Sequence, residues 1–146
     1  MREDVGMDLV PDDDPSRVDR DWLWRMLSTE AYWSRWRTRE QVEAQLDGAW
    51  RVVGVYDVDS GAQLGYARAV SDGIGDAYLA DVIVEPDARG RGIGKLIVRT
   101  MIEDGPGTKF RWTLFTSDAH GLYEQFGFGA PDSTAMVRPR SLPTEG

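Results

Sequence analysis

With 146 residues, the chain is long enough for one domain, taken as 1–146, and too short for two ordinary ones. It has no cysteine and a single histidine, His120, which excludes disulfides, thiolate chemistry and multi-histidine centres, so no metal is expected. A net charge of −8 argues against nucleic-acid partners, and no run approaches the ~20 apolar residues of a membrane span.

The N-terminus is acidic and lacks the apolar run of a secretory signal, so a cytoplasmic protein is expected. The acidity either keeps the chain soluble or draws in cationic amines. A short strand over Gly6 to Val10 leads into an acidic turn, Pro11 to Pro15. Asp19 or Asp21 starts a helix, with Trp22, Leu23, Met26 and Leu27 at helical spacing. Thr38-Arg39-Glu40-Gln41 has the form of a capping box. Its helix runs to about Asp47 with Val42 and Leu46 inward, and Gly48 ends it. Trp50 to Tyr56 and Gln63 to Val70 read as a hairpin around Asp59-Ser60-Gly61. Ser71 to Asp76 turns the chain again, and Ala77 to Val84 is the third strand of the meander.

After Val84 comes Glu85-Pro86-Asp87-Ala88-Arg89-Gly90-Arg91-Gly92-Ile93-Gly94-Lys95. A helix from Gly92 to Ile102 would present unpaired amides at its mouth, where glycines clear the approach for a diphosphate. The dinucleotide fingerprint G-x-G-x-x-G fails because Lys95 stands at its third glycine. The NTPase phosphate loop fails because Leu96 follows Lys95 and Arg89 stands at its first glycine. The bland reading is a loop that merely turns the chain into a helix.

Gly105-Pro106-Gly107 stops that helix, and Phe110 to Phe115 is a strand with aromatic alternation. Ser117 caps a short helix whose positive end suits Asp118. Gly121 sits inside it, for close approach of a ligand or for packing. His120 lies beside a ligand or in a satisfied, partly buried site. Gly127 fits a left-handed helix exit with Phe128 folding back. Thr134 to Pro139 is a last strand, held at an edge by Pro139.

The R/Q-x-x-G-x-G/A pattern at Arg89, Gly92 and Gly94 resembles the coenzyme A site of the GNAT superfamily of N-acetyltransferases. The run Leu122-Tyr123-Glu124-Gln125-Phe126-Gly127-Phe128 is similar to its downstream motif, L-Y-x-x-x-G-F. The resemblance covers residues 78 to 128. It implies an α/β (α+β) fold, with a mixed, mostly antiparallel sheet flanked by helices on both faces.

By that resemblance, acetyl-CoA is the acyl donor. Its diphosphate is held by Arg89, Gly90, Arg91, Gly92, Ile93, Gly94 and Lys95, and its arm pairs with the backbone of Val82, Ile83 and Val84 at a bulge. Thr116 stands where the family often places an asparagine for the arm, and Asp118 flanks it. Tyr123 matches the acid that protonates the departing thiolate; a buried aromatic anchor is the plainer role. A free amide near Val82 faces the oxyanion. The general base is the weak point. Where some members read Y-L-E-D, this chain reads Tyr78-Leu79-Ala80-Asp81. Asp81 is left as base, substrate anchor or bulge stabiliser, with a water chain as the alternative base.

The acceptor is expected to be a primary amine of a small molecule, a lysine or an N-terminus. The loop from Tyr32 and Trp33 to Arg37 offers aromatic faces to a cation, or Trp33 and Trp36 simply pack on the sheet. Arg68 either directs a lone charge into the cleft to bind a substrate carboxylate or, as is commoner, lies exposed on its strand, and Asp72 is a similar, weaker candidate. The resemblance also implies that homodimers are common. The missing first carboxylate leaves one rival, a catalytically silent acyl-CoA sensor.

Overall fold

The computed structural model describes residues 8–31 and 36–141. Tyr32 and Trp33 lie outside the described residues, as does Gly6. Strand β1 spans Leu9–Asp12, ending two residues later than expected, and pairs antiparallel with β2, Arg51–Asp57. Pro11, read as the start of a turn, lies inside β1. An edge strand tolerates a residue that cannot donate to the ladder.

Asp19 caps α1, Arg20–Thr29, by accepting from the Trp22 amide at 3.0 Å. Thr38 and Gln41 close the capping box of α2, Arg39–Gly48, at 3.2 and 2.8 Å. Gly48 is the last helical residue and Ala49 takes the extended cap, so the helix stops without the left-handed exit expected.

Strands β2, β3 (Gln63–Ser71) and β4 (Asp76–Val84) form the antiparallel meander, and β5 (Arg111–Thr113) joins β4 in parallel. The sheet order follows the chain, β1-β2-β3-β4-β5. Period-two alternation sends Val53, Val55, Ala67, Ala69 and Leu79 to one face and Val52, Tyr66 and Ile83 to the other. The first set packs on α3, Ile93–Val98, through Ile93, Ile97 and Val98. The second packs on α1 and α2 through Leu23, Met26, Leu27, Val42 and Leu46. Helices therefore cover both faces, as expected.

The helix expected over Gly92 to Ile102 changes character part-way. Arg99–Glu103 forms a wider π turn, closed by the Asp104 amide on the Arg99 carbonyl at 2.9 Å. The last strand expected over Thr134 to Pro139 does not form. That segment is exposed and unpaired, with Met136 95% accessible. Instead Val137–Arg140 runs along a cavity wall.

Close approach of α3 to the sheet depends on Gly65. A β-carbon there would lie 2.8 Å from Ile97 Cδ1 and 2.9 Å from Ile93 Cγ2. Gly65→Ala is expected to cost about 1–3 kcal/mol by overpacking, read as a lower urea midpoint. An unchanged midpoint would mean that α3 can shift away without loss.

Candidate active site

The site begins at a defect in β4. Arg68 pairs with Ala80 and Tyr66 with Ile83, so β4 uses one more residue than β3 over this interval. The extra residue makes a β-bulge. Asp81 sits in it with φ of 56°, the one non-glycine residue at positive φ among the described residues. Aspartate tolerates this region better than most side chains, because its short polar group can bond locally.

Here the carboxylate is bonded at long range instead. Arg37 Nη1 donates to Asp81 Oδ2 and Nη2 to Oδ1, both at 2.8 Å. Arg68 Nε donates to Oδ2 at 2.7 Å. The Arg37 and Asp81 side chains are 2% and 4% exposed. Burial alone would raise the Asp81 pKa; the hydrogen bond from Arg37 and the charge of Arg68 outweigh it and hold the carboxyl below its usual range. Arg68 is thus neither a lone charge nor an exposed strand arginine. Arg37 carries the pairing that sequence reasoning missed. Its one visible signal was its place just ahead of the capping box, in an aromatic-rich segment.

Parallel pairing of β4 with β5 ends at Tyr78 and Thr113. Beyond that point the two chain segments part, and a cavity of about 920 Å³ fills the split. Leu79, Ala80, Asp81 and Val82 form one wall, and the segment from Leu114 to Ala119 with Tyr123 forms the other. Backbone groups of β4 that face away from β3 have no neighbouring strand along this gap. A smaller hollow of about 400 Å³, lined by Asp13, Leu46, Trp50 and Arg51 among others, shares none of these features.

Tyr123 comes from α4, His120–Glu124. The Gly127 amide donates to the Glu124 carbonyl at 3.2 Å and the Phe128 amide to the Tyr123 carbonyl at 3.2 Å, with Gly127 at φ of 90°. That left-handed exit folds Phe128 edge-on to the Tyr123 ring, 5.9 Å between centroids. Burial, assisted by the negative charge of Asp118, pushes the Tyr123 phenol up to about 12. Asp118 is exposed on the same wall.

Ser117 does not cap α4; Ala119 occupies the cap position, and the Thr116 hydroxyl accepts from the Ala119 amide at 3.1 Å. Thr116 lines the cavity with that oxygen already engaged. A β-carbon at Gly121 would meet nothing within 4 Å, so packing does not explain that glycine. His120 is exposed and Asp72 is not in the cavity wall. Asp72 lies in the β3–β4 turn and accepts from the Ile74 amide at 2.9 Å.

The loop after β4 has Gly90 at φ of 84° and Gly92 at φ of 79°, both in the left-handed region. No atom stands within 4 Å of a β-carbon built at either. Backbone conformation, not crowding, requires glycine there. The first helical bond of α3 runs from the Leu96 amide to the Gly92 carbonyl at 3.0 Å. The amides of Ile93, Gly94 and Lys95 come before it and have no acceptor within the helix. Arg89, Arg91 and Lys95 are exposed around them. Among the described residues none of these cations forms an ion pair.

Fold and site together define an α/β protein with a split sheet. A groove runs between the two strand ends, with a cationic amide nest on the loop that follows β4. A family model described as "Acetyltransferase (GNAT) domain" matches residues 49–129. The chain belongs to this GNAT acetyltransferase family.

A crystal structure assigned to the gnat family, from Xanthomonas campestris pv. campestris, superposes with a TM-score of 0.83 at 34% identity, covering 92% of this chain and 96% of that one. Serotonin N-acetyltransferase 2, chloroplastic, of Oryza sativa subsp. japonica is 31% identical over 77 residues, 51% of this chain and 38% of that protein. The uncharacterized N-acetyltransferase ycf52 of Pyropia yezoensis is 34% identical over 67 residues, 44% of this chain and 38% of that protein. The matched segment thus spans well under half the length of both curated relatives.

GNAT acetyltransferases use acetyl-CoA, and the residues present fit such a ligand. Open glycines and unpaired amides suit a diphosphate, and the β4–β5 split suits an extended arm. Among the described residues no group of three or more acidic or histidine side chains could hold a metal ion, and no helix is long and apolar enough to cross a membrane.

Proposed function

We propose that the protein is an acetyl-CoA-dependent N-acetyltransferase that acetylates a primary amine of a small molecule, a lysine or an N-terminus. The observation that carries this reading is the divergence of β5 from β4 at the Asp81 bulge, with Tyr123 on the facing wall. When bound, acetyl-CoA supplies an acetyl group activated for attack by its thioester link.

The chain's own residues then have four tasks. Arg89, Gly90, Arg91, Gly92, Ile93, Gly94 and Lys95 hold the diphosphate through amides and cationic side chains. Val82, Ile83 and Val84 offer backbone groups to the arm. The amide near Val82 faces the carbonyl oxygen as negative charge develops there. Tyr123 keeps its proton well above neutral pH and gives it to the thiolate as the C–S bond breaks and the C–N bond forms. Asp118 and Thr116 flank the arm at the same wall.

Asp81 fits the role of bulge stabiliser. A carboxylate shared by two guanidiniums, with a lowered pKa, is a poor acceptor for an ammonium proton. Water in the cavity takes that proton. The acceptor enters from the α1–α2 face, where Arg68 stands. The rice relative's name offers an arylalkylamine as one substrate to include in a panel.

Release of free thiol from acetyl-CoA in the presence of a primary-amine panel tests the proposal. Amine-dependent release is expected. Binding of CoA with no release for any amine would contradict it and favour a silent sensor. Gly92→Ala places a β-carbon at φ of 79° on the amide nest. It is expected to weaken CoA binding by about tenfold in calorimetry, since the left-handed region costs about 1–2 kcal/mol for an L side chain. Unchanged affinity would place the diphosphate elsewhere.

A further inference from the structure

The cavity carries a charge opposite to that of the whole chain. Four arginines, Arg37, Arg68, Arg138 and Arg140, line it against two aspartates, Asp81 and Asp118. The chain as a whole has a net charge of −8. Asp81 is engaged by Arg37 and Arg68.

Arg68 enters that pairing through Nε. Among the described residues its two terminal nitrogens donate to no protein acceptor, which leaves the forked end of the guanidinium for a ligand. Its cross-strand Cα partner is Ala80, and the one β4 carboxylate it meets, that of Asp81, is reached through Nε alone. Arg138 lies in the segment expected as the last strand, Thr134 to Pro139, and Arg140 directly follows it. Arg140 is braced over the Trp36 ring at 4.5 Å. Neither forms an ion pair among the described residues.

Apolar surface adjoins these cations. The rings of Tyr78 and Phe115 meet edge-on at 6.0 Å, and Phe115 is 65% exposed. Val137 lies on the same cavity, 66% exposed.

We propose that the acceptor is a primary amine that also bears a carboxylate on an apolar body, as in a hydrophobic amino acid. This rests on the transferase reading above and names its substrate class. A planar guanidinium fork matches a carboxylate with two parallel hydrogen bonds. The Tyr78–Phe115 surface takes the body. Nearby guanidiniums disfavour an ammonium, so they raise the share of neutral, nucleophilic amine. The same repulsion turns away diamines, whose second ammonium finds no unengaged buried carboxylate.

Three acceptors that differ at one group test this: L-tryptophan, L-tryptophan amide and tryptamine. L-phenylalanine and phenethylamine repeat the comparison with a smaller body, and cadaverine serves as the diamine. Both kcat/KM with acetyl-CoA and calorimetric affinity in the presence of CoA are read. The free amino acids are expected to exceed their amide and decarboxylated counterparts by about tenfold or more, through KM. Arg68→Gln, and separately Arg138→Gln with Arg140→Gln, are expected to bring that ratio towards one. The tail pair keeps the test valid if Arg68→Gln fails to fold. Equal or better use of tryptamine, of the amide or of cadaverine overturns the substrate class while leaving the transferase reading intact. No thiol release with any amine, but the same order of affinities, overturns the transferase reading alone. Absence of any carboxylate-dependent binding overturns the substrate class outright.

Discussion

Tyr123→Phe is expected to lower kcat by about 10²–10³-fold while CoA affinity stays unchanged. The substitution removes one oxygen and keeps the ring that meets Phe128 at 5.9 Å, so α4 and the cavity wall remain in place. On the proposed mechanism, what disappears is the proton for the leaving sulfur. A phenol held near 12 stays protonated throughout the physiological range. The activity profile should therefore rise with pH as the acceptor amine loses its proton, with no fall from Tyr123 before the strongly alkaline region. If Tyr123→Phe retains full turnover, the ring is only an anchor and another group protonates the sulfur.

The second large effect is on stability. Asp81→Ala is expected to destabilise the fold by about 3–5 kcal/mol, because it removes the carboxylate that balances the charge of the buried Arg37 guanidinium. The Arg37 side chain is 2% exposed and donates to both carboxylate oxygens. The linkage has a definite sign. The folded-state pKa of Asp81 is depressed, so its contribution is fully present above the unfolded value of about 3.9 and is lost as pH falls through the folded value. Urea midpoints of the parent should drop on acidification below about pH 4, and those of Asp81→Ala should drop less. Midpoints that coincide at neutral pH would show that the pair contributes nothing net.

Most of this fold can be read from the sequence where local chemistry alone decides. The Asp19 cap, the Thr38–Gln41 capping box and the Gly127 exit each follow from residues within a single turn. The meander follows from β-branched runs separated by turn residues. Where tertiary context decides, local reading falls short. Ser117 has the right chemistry for a cap, but Thr116 reaches the Ala119 amide first. Thr134 to Pro139 has strand-like composition, yet it pairs with no strand, and its Val137–Pro139 part lies along the cavity.

The site divides in the same way. The glycine loop and Tyr123 belong to contiguous motifs and were legible. The Arg37–Asp81 pair joins residues 44 positions apart, and no local pattern announces it. Arg138 and Arg140 become visible only when the chain end folds beside Trp36.

The central claim is that the donor's diphosphate sits on the amides that open α3 and that its arm fills the split between β4 and β5. A crystal structure of the protein with CoA tests it most directly. The account predicts phosphate density against Gly92, Ile93, Gly94 and Lys95, with the arm beside Val82–Val84 and its sulfur near Tyr123. Density for CoA in the hollow beside Trp50 and Arg51, or anywhere that leaves the split empty, would contradict it.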